Sequence, residues 1–161
     1  MTEFKRTLEN EEATLALGRA LAAGLTPGMV IYLIGDLGAG KTTLARGVLR
    51  GLGFEGRVKS PTFTLVEPYE VSRLYLYHFD FYRFTGQQNP RELGEAGFRE
   101  YFNPQSVCLV EWPEKAAGLP PADLRILLEM DGAAGLAQSG RNVRIFADTE
   151  AGVSCLKGLQ L

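Results

Sequence analysis

The run Gly35-Asp36-Leu37-Gly38-Ala39-Gly40-Lys41-Thr42-Thr43 satisfies G-x-x-x-x-G-K-[ST] in full. It follows the apolar run 29–34 and opens the amphipathic run 44–52, the strand-then-helix context that the motif needs. Each part has a separate chemical task. Glycines 35, 38 and 40 let the backbone curl so that its N–H groups converge, and the helix N-terminus behind them adds a positive dipole end. A polyphosphate is then held largely by main chain. Lys41 reaches the β- and γ-phosphates, and the Thr42 hydroxyl is an oxygen ligand for the Mg²⁺ that bridges them. A glycine-rich turn with no ligand would leave Lys41 unexplained.

Acidic partners are sought at strand ends, because ligands of open α/β sheets sit beyond the carboxyl ends of the strands. Asp80 lies near the end of a strand predicted over 74–82, where alternation puts His78, Asp80 and Tyr82 on one face and Phe79 and Phe81 on the other. Glu111 directly follows the short apolar strand 107–110, where phosphate-loop enzymes keep the second acidic group of the Mg²⁺ site. Either carboxylate can hold Mg²⁺, directly or through water, and either can position an attacking water; spacing does not divide these roles. His78, the single histidine, reads as structural ahead of direct proton transfer. Trp112 beside Glu111 is core or a lid over the nucleotide. Thr62 and Thr64 lie between the loop helix and the Asp80 strand, where switch loops place a group that senses the γ-phosphate, and Thr62 is the better placed. Neither Asn-Lys-x-Asp nor D-x-x-G occurs, which favours ATP over GTP.

Elements must hold these groups in place. Asn10 caps a helix predicted over 11–23, ended by Thr26-Pro27-Gly28. The continuous apolar run 29–34 suits a buried parallel strand, and Leu44, Val48, Leu49 and Leu52 recur at helical spacing before Gly53. Residues 64–69 and 74–82 read as a hairpin, Asn89-Pro90 starts a short helix through about residue 101, and 124–130 and 142–147 form an antiparallel hairpin at one sheet edge. The last dozen residues carry no clear signal. The sum is an α/β fold with a mostly parallel central sheet and antiparallel edge strands, in a single domain over 1–161.

Composition narrows the function. A net charge of −2 argues against broad nucleic-acid binding, which needs clustered Lys and Arg. Arg46, Arg50, Arg57 and Lys59 read as a solvated helix face and its following loop. Cys108 and Cys155 are too few and too distant for a disulfide scaffold or zinc site. No apolar run approaches the roughly 20 residues of a membrane span and no signal peptide is visible, so the expected location is the cytoplasm, with no membrane partner.

Taken together, the loop at 35–43, Val58-Lys59-Ser60-Pro61-Thr62-Phe63-Thr64-Leu65-Val66-Glu67, Tyr77-His78-Phe79-Asp80-Phe81-Tyr82-Arg83 and Leu109-Val110-Glu111-Trp112-Pro113 resemble the bacterial TsaE (YjeE) ATPases over about residues 8–130. The resemblance implies a three-layer P-loop NTPase fold and a weak, partner-activated ATPase. Its ATP cycle would support formation of threonylcarbamoyladenosine in tRNA by acting on the TsaD–TsaB transferase, with tRNA met only indirectly. It further implies that residues 38–43 hold the phosphates, that Thr42 and Glu111 coordinate Mg²⁺, and that Asp80 is needed for hydrolysis. Ser60 to Thr64 would form the switch loop, and Glu11 and Thr14 would lie by the adenine. Phe63 and Phe81 stand where the family often has Tyr and Leu, residues 85–90 look longer than usual, and the C-terminal third matches poorly. Two other functions share the loop: a small-molecule kinase, for which Arg91 and Arg99 are the available lid arginines, and a nucleotide-dependent binding switch without useful hydrolysis.

Overall fold

A computed structural model describes residues 2–36, 38–58, 66–71, 74–83, 98–130 and 140–159. Seven strands form one sheet: β1 (Glu3–Leu8), β2 (Val30–Ile34), β3 (Val66–Glu70), β4 (Tyr75–Asp80), β5 (Ser106–Glu111), β6 (Leu124–Met130) and β7 (Arg141–Ala147). Their order is β1-β7-β6-β2-β5-β4-β3. The middle four, β6, β2, β5 and β4, run parallel, and β1, β7 and β3 are added antiparallel. Every residue of β5 is buried, as a central strand covered on both faces requires.

The register sorts side chains onto two faces. Ile31 and Leu33, Val107, Leu109 and Glu111, Leu76, His78 and Asp80, and Leu124, Ile126 and Leu128 share one face. Helices α1 (Glu11–Ala22), α2 (Lys41–Gly51) and a C-terminal helix, labelled α4 (Glu150–Lys157), join that face in one core. On the other face Phe79, Phe81, Cys108 and Val110 pack with Tyr32, Tyr101, Phe102 and Trp112, the last turn before them being α3 (Phe98–Tyr101).

Helix α1 begins where Asn10 accepts the N–H of Ala13 at 2.9 Å, as its sequence predicts. It lies so close to α2 that a Cβ on Gly18 would sit 2.5 Å from the Leu44 carbonyl, and one on Gly47 2.5 Å from the Leu15 carbonyl. Two small residues therefore set the depth at which α2, and the loop at its N-terminus, meets the rest of the molecule.

Three expectations change. Residues 3–8 form a strand that the sequence reading did not assign, and because β1 pairs with β7, the hairpin of β6 and β7 is not the sheet edge. The C-terminal residues form α4, capped by Thr149, whose hydroxyl oxygen accepts from the Gly152 N–H and donates to Asp123. Strand β5 extends to Glu111, which is thus its last residue rather than the first after it. The helix predicted from Asn89 falls outside the described residues except for its final turn.

Candidate active site

The chain leaves β2 at Ile34, and a Cβ on Gly35 would lie 2.5 Å from the Leu128 carbonyl, so only glycine lets the loop start this close to β6. Gly38 and Gly40 take φ of 78° and 101°, conformations that a side chain opposes. Gly40 is the N-cap of α2, so the helix starts at Lys41, directly behind the loop's glycines. Lys41 donates to the Gly35 carbonyl and to the Asp36 carbonyl at 3.0 Å, and its Nζ lies 4.3 Å from the centre of the Trp112 ring. Burial pushes the Lys41 ammonium below its ordinary value, while Glu111, Asp80, Glu114 and Asp36 pull it back up. An anionic phosphate beside it would favour the charged form further.

The two carboxylates face this ammonium from adjacent parallel strands, since Asp80 is paired in register with Glu111. Glu111 is 3% exposed, and its Oε2 accepts the Thr42 hydroxyl at 3.3 Å and His78 Nε2 at 2.5 Å. A carboxylate offers only acceptors, so Nε2 carries the imidazole proton. Nδ1 is then a lone pair, the one buried side-chain nitrogen or oxygen among the described residues with no hydrogen-bond partner. Asp80 Oδ1 accepts the Tyr82 N–H at 2.9 Å, which fixes the carboxylate at the strand end.

A cleft of about 590 Å³ is lined by Glu11, Thr14, Gly38, Ala39, Gly40, Lys41, Thr42, Thr43, Asp80, Tyr82, Glu111, Trp112 and Arg141. Every site residue expected from the sequence lines it except Thr62, which lies outside the described residues with the rest of 59–65. Glu11 also pairs with Arg46 at 2.7 Å, and Arg50 donates to the Phe54 and Gly56 carbonyls, so these two arginines are occupied by the protein itself. Arg99 is exposed on α3 and does not line the cleft, and Arg91 is outside the described residues.

Two further residues shape the cleft, and one of them, Arg141, has no role expected from the sequence. Arg141, at the start of β7, donates to the Gly38 and Ala39 carbonyls at 2.8 and 2.9 Å, across 103 and 102 residues of chain. Nothing in its neighbourhood, a glycine followed by a strand that alternates polar and core residues, announces that reach. Trp112 is the sole non-glycine with positive φ among the described residues, at 57°, and its ring lies 5.0 Å from that of Tyr82. A bulky residue held left-handed before Pro113 is strained by about 1–2 kcal/mol, which marks the spot.

The donor set suits Mg²⁺. A neutral hydroxyl and a buried carboxylate offer hard oxygen ligands at one point, and this ion typically completes its shell with water and substrate phosphates. Among the described residues no group of three or more His, Cys, Asp or Glu converges as an all-protein metal cage would require.

The family model described as threonylcarbamoyl adenosine biosynthesis protein TsaE matches residues 8–139. The tRNA threonylcarbamoyladenosine biosynthesis protein TsaE of Haemophilus influenzae is 43% identical over 158 residues, which span 94% of each chain. The chain belongs to the TsaE family. The Bacillus subtilis TsaE protein is 41% identical over 133 residues, 82% of this chain and 81% of that one. In three dimensions the chain is similar to the crystal structure of Bacillus subtilis YdiB, with a TM-score of 0.78 and 35% identity, covering 98% of this chain and 95% of the other. Arg141 lies just beyond the segment that the TsaE model matches. Among the described residues no helix is long and apolar enough to cross a membrane.

Proposed function

We propose that this TsaE-family chain binds Mg²⁺–ATP in the cleft, hydrolyses it slowly alone and faster with protein partners, and thereby supports threonylcarbamoyladenosine modification of tRNA. The observation that carries the reading is the meeting of Lys41, Thr42, Asp80 and Glu111 at one end of the parallel strands, around a complete phosphate loop. The family and the names of its relatives supply the biological setting. TsaD–TsaB is the transferase on which the ATP cycle would act, in the cytoplasm. The absence of Asn-Lys-x-Asp from the whole sequence favours ATP over GTP.

In this reading the loop N–H groups and Lys41 bind the β- and γ-phosphates. Thr42 and Glu111 would hold Mg²⁺, which would supply positive charge to the phosphate oxygens. Asp80 orients a water toward the γ-phosphorus and takes up its proton. The water oxygen forms the new P–O bond, the bond to the β-phosphate bridging oxygen breaks, and ADP and inorganic phosphate leave. Trp112 and Tyr82 wall the cleft on the Glu111 side, and Glu11 and Thr14, which also line the cleft, would lie by the adenine, as the family resemblance implies.

The test is calorimetric binding of ATP with and without Mg²⁺, followed by phosphate release alone and with TsaD and TsaB. Micromolar-range binding with partner-stimulated release is expected. Failure to bind ATP, or phosphate transfer to a metabolite in preference to water, would overturn it. The binding-switch alternative predicts that Glu111→Gln and Asp80→Ala keep tRNA modification while losing hydrolysis.

A further inference from the structure

We infer that Arg141 is a positioning residue of the phosphate loop: from the start of β7 it holds the loop's carbonyls outward, so that the nucleotide-binding geometry is set in advance. This rests on the nucleotide reading above. Arg141 Nη2 donates to the Gly38 carbonyl at 2.8 Å and Nε to the Ala39 carbonyl at 2.9 Å, while Nη1 takes the carbonyl of Gly140 at 2.7 Å. Lys41 holds the Gly35 and Asp36 carbonyls. Two cations thus gather four loop carbonyls between them.

The consequence follows from peptide geometry. In a planar trans peptide the C=O and the next N–H point in opposite directions. Fixing the Ala39 carbonyl on Arg141 therefore directs the Gly40 N–H away from the guanidinium. Fixing the Gly38 carbonyl does the same for the Ala39 N–H, which is seen to donate to Asp36 O at 3.0 Å and so tightens the turn. A loop with φ of 78° and 101° at its two glycines has many alternatives when free, and ordering it only on binding would cost affinity. Lys41 cannot keep this role, because its ammonium must turn to phosphate oxygens when a nucleotide arrives. Arg141 can, since its donors face carbonyls and its planar fork fits two of them at once.

Because Arg141 begins a strand of the β6–β7 hairpin, the loop's order is tied to a part of the chain beyond the segment that the family model matches. Arg141→Ala and Arg141→Lys, prepared as full chains, should be titrated by calorimetry with Mg²⁺–ATP and with inorganic Mg²⁺–triphosphate, and melted without ligand. Loss of loop order weakens both ligands by a similar factor, about tenfold or more for Arg141→Ala, with Arg141→Lys between the variant and wild type. KM for ATP rises by more than kcat falls, and the ligand-free melting temperature stays near the wild-type value. Unchanged binding of both ligands would overturn the inference, and so would weakened ATP binding with triphosphate unaffected, which would make Arg141 a base contact. A wild-type chain that binds neither ligand would instead overturn the nucleotide reading itself, and the inference with it.

Discussion

Replacing His78 by Leu tests whether the buried imidazole is what holds the Glu111 carboxylate in place. His78 is fully buried and Glu111 is 3% exposed, with 2.5 Å between Nε2 and Oε2. Removing one member of such a pair leaves a buried carboxylate short of a donor, a change that costs about 3–5 kcal/mol when no partner remains. Here Thr42 still donates at 3.3 Å, and Leu removes the unpartnered Nδ1, so both terms reduce the loss. The expected net destabilisation is about 2–3 kcal/mol, or a melting temperature lower by about 5–10 °C for a domain of this size. His78→Gln keeps an N–H for Glu111 and should lose less than half as much. The carboxylate freed by Leu is also a poorer metal ligand, and the Mg²⁺ concentration needed for nucleotide binding should rise about 10- to 100-fold. Thermal melting and Mg²⁺ titrations of both variants, with Glu111→Gln completing a double-mutant cycle, give all of these quantities. A His78→Leu chain as stable as wild type, with an unchanged Mg²⁺ requirement, would show that the imidazole does not hold the carboxylate in place.

Three further outcomes follow from the geometry. Lys41→Met should raise the ligand-free melting temperature while abolishing phosphate binding, because burial disfavours the ammonium. Since the folded chain holds this proton less tightly than the unfolded one, wild-type stability rises with pH as it approaches 10.5, and the variant's advantage, followed by melting at several pH values, should shrink over the same window. Gly47→Ala puts a Cβ 2.5 Å from the Leu15 carbonyl, and denaturant unfolding should show a loss of about 1–3 kcal/mol, with weaker ATP binding as α2 is displaced. Burial pushes the Cys108 and Cys155 thiols up to about 12 and about 11, so neither should react with Ellman's reagent at pH 8 faster than the chain unfolds.

The parallel core and the phosphate loop were legible because they depend on local signals: a continuous apolar run, three glycines with a lysine, and helical spacing behind them. Alternation along 74–82 also placed His78 and Asp80 on one face and Phe79 and Phe81 on the other, as the structure has them. What it could not supply was register. The pairing of Asp80 with Glu111 and the reach of His78 to that carboxylate depend on how two strands offset by 31 residues align, which no local pattern encodes. Strand β1 was invisible for a related reason: its side chains are mostly exposed or half-buried, and its place is fixed by pairing with β7 across 135 residues, as between Thr7 and Asn142. The helix α4 was readable in principle from Thr149 as its cap, but a segment with Gly152, Gly158 and few charges carries little helical signal. Gly152 is there because a Cβ would meet the Asp123 carbonyl at 2.2 Å. Arg141 needed the full topology to be seen at all.

Hydrolysis at the Thr42, Asp80 and Glu111 end of the cleft is tested most directly with Asp80→Ala under saturating Mg²⁺–ATP. Calorimetric binding and partner-stimulated phosphate release should be followed together, with TsaD and TsaB present. ATP should still bind within a few-fold of wild type while phosphate release falls by at least about 100-fold, in the range expected for loss of a group acting in the transition state. Phosphate release at the wild-type rate from the Asp80→Ala chain would contradict that role for Asp80.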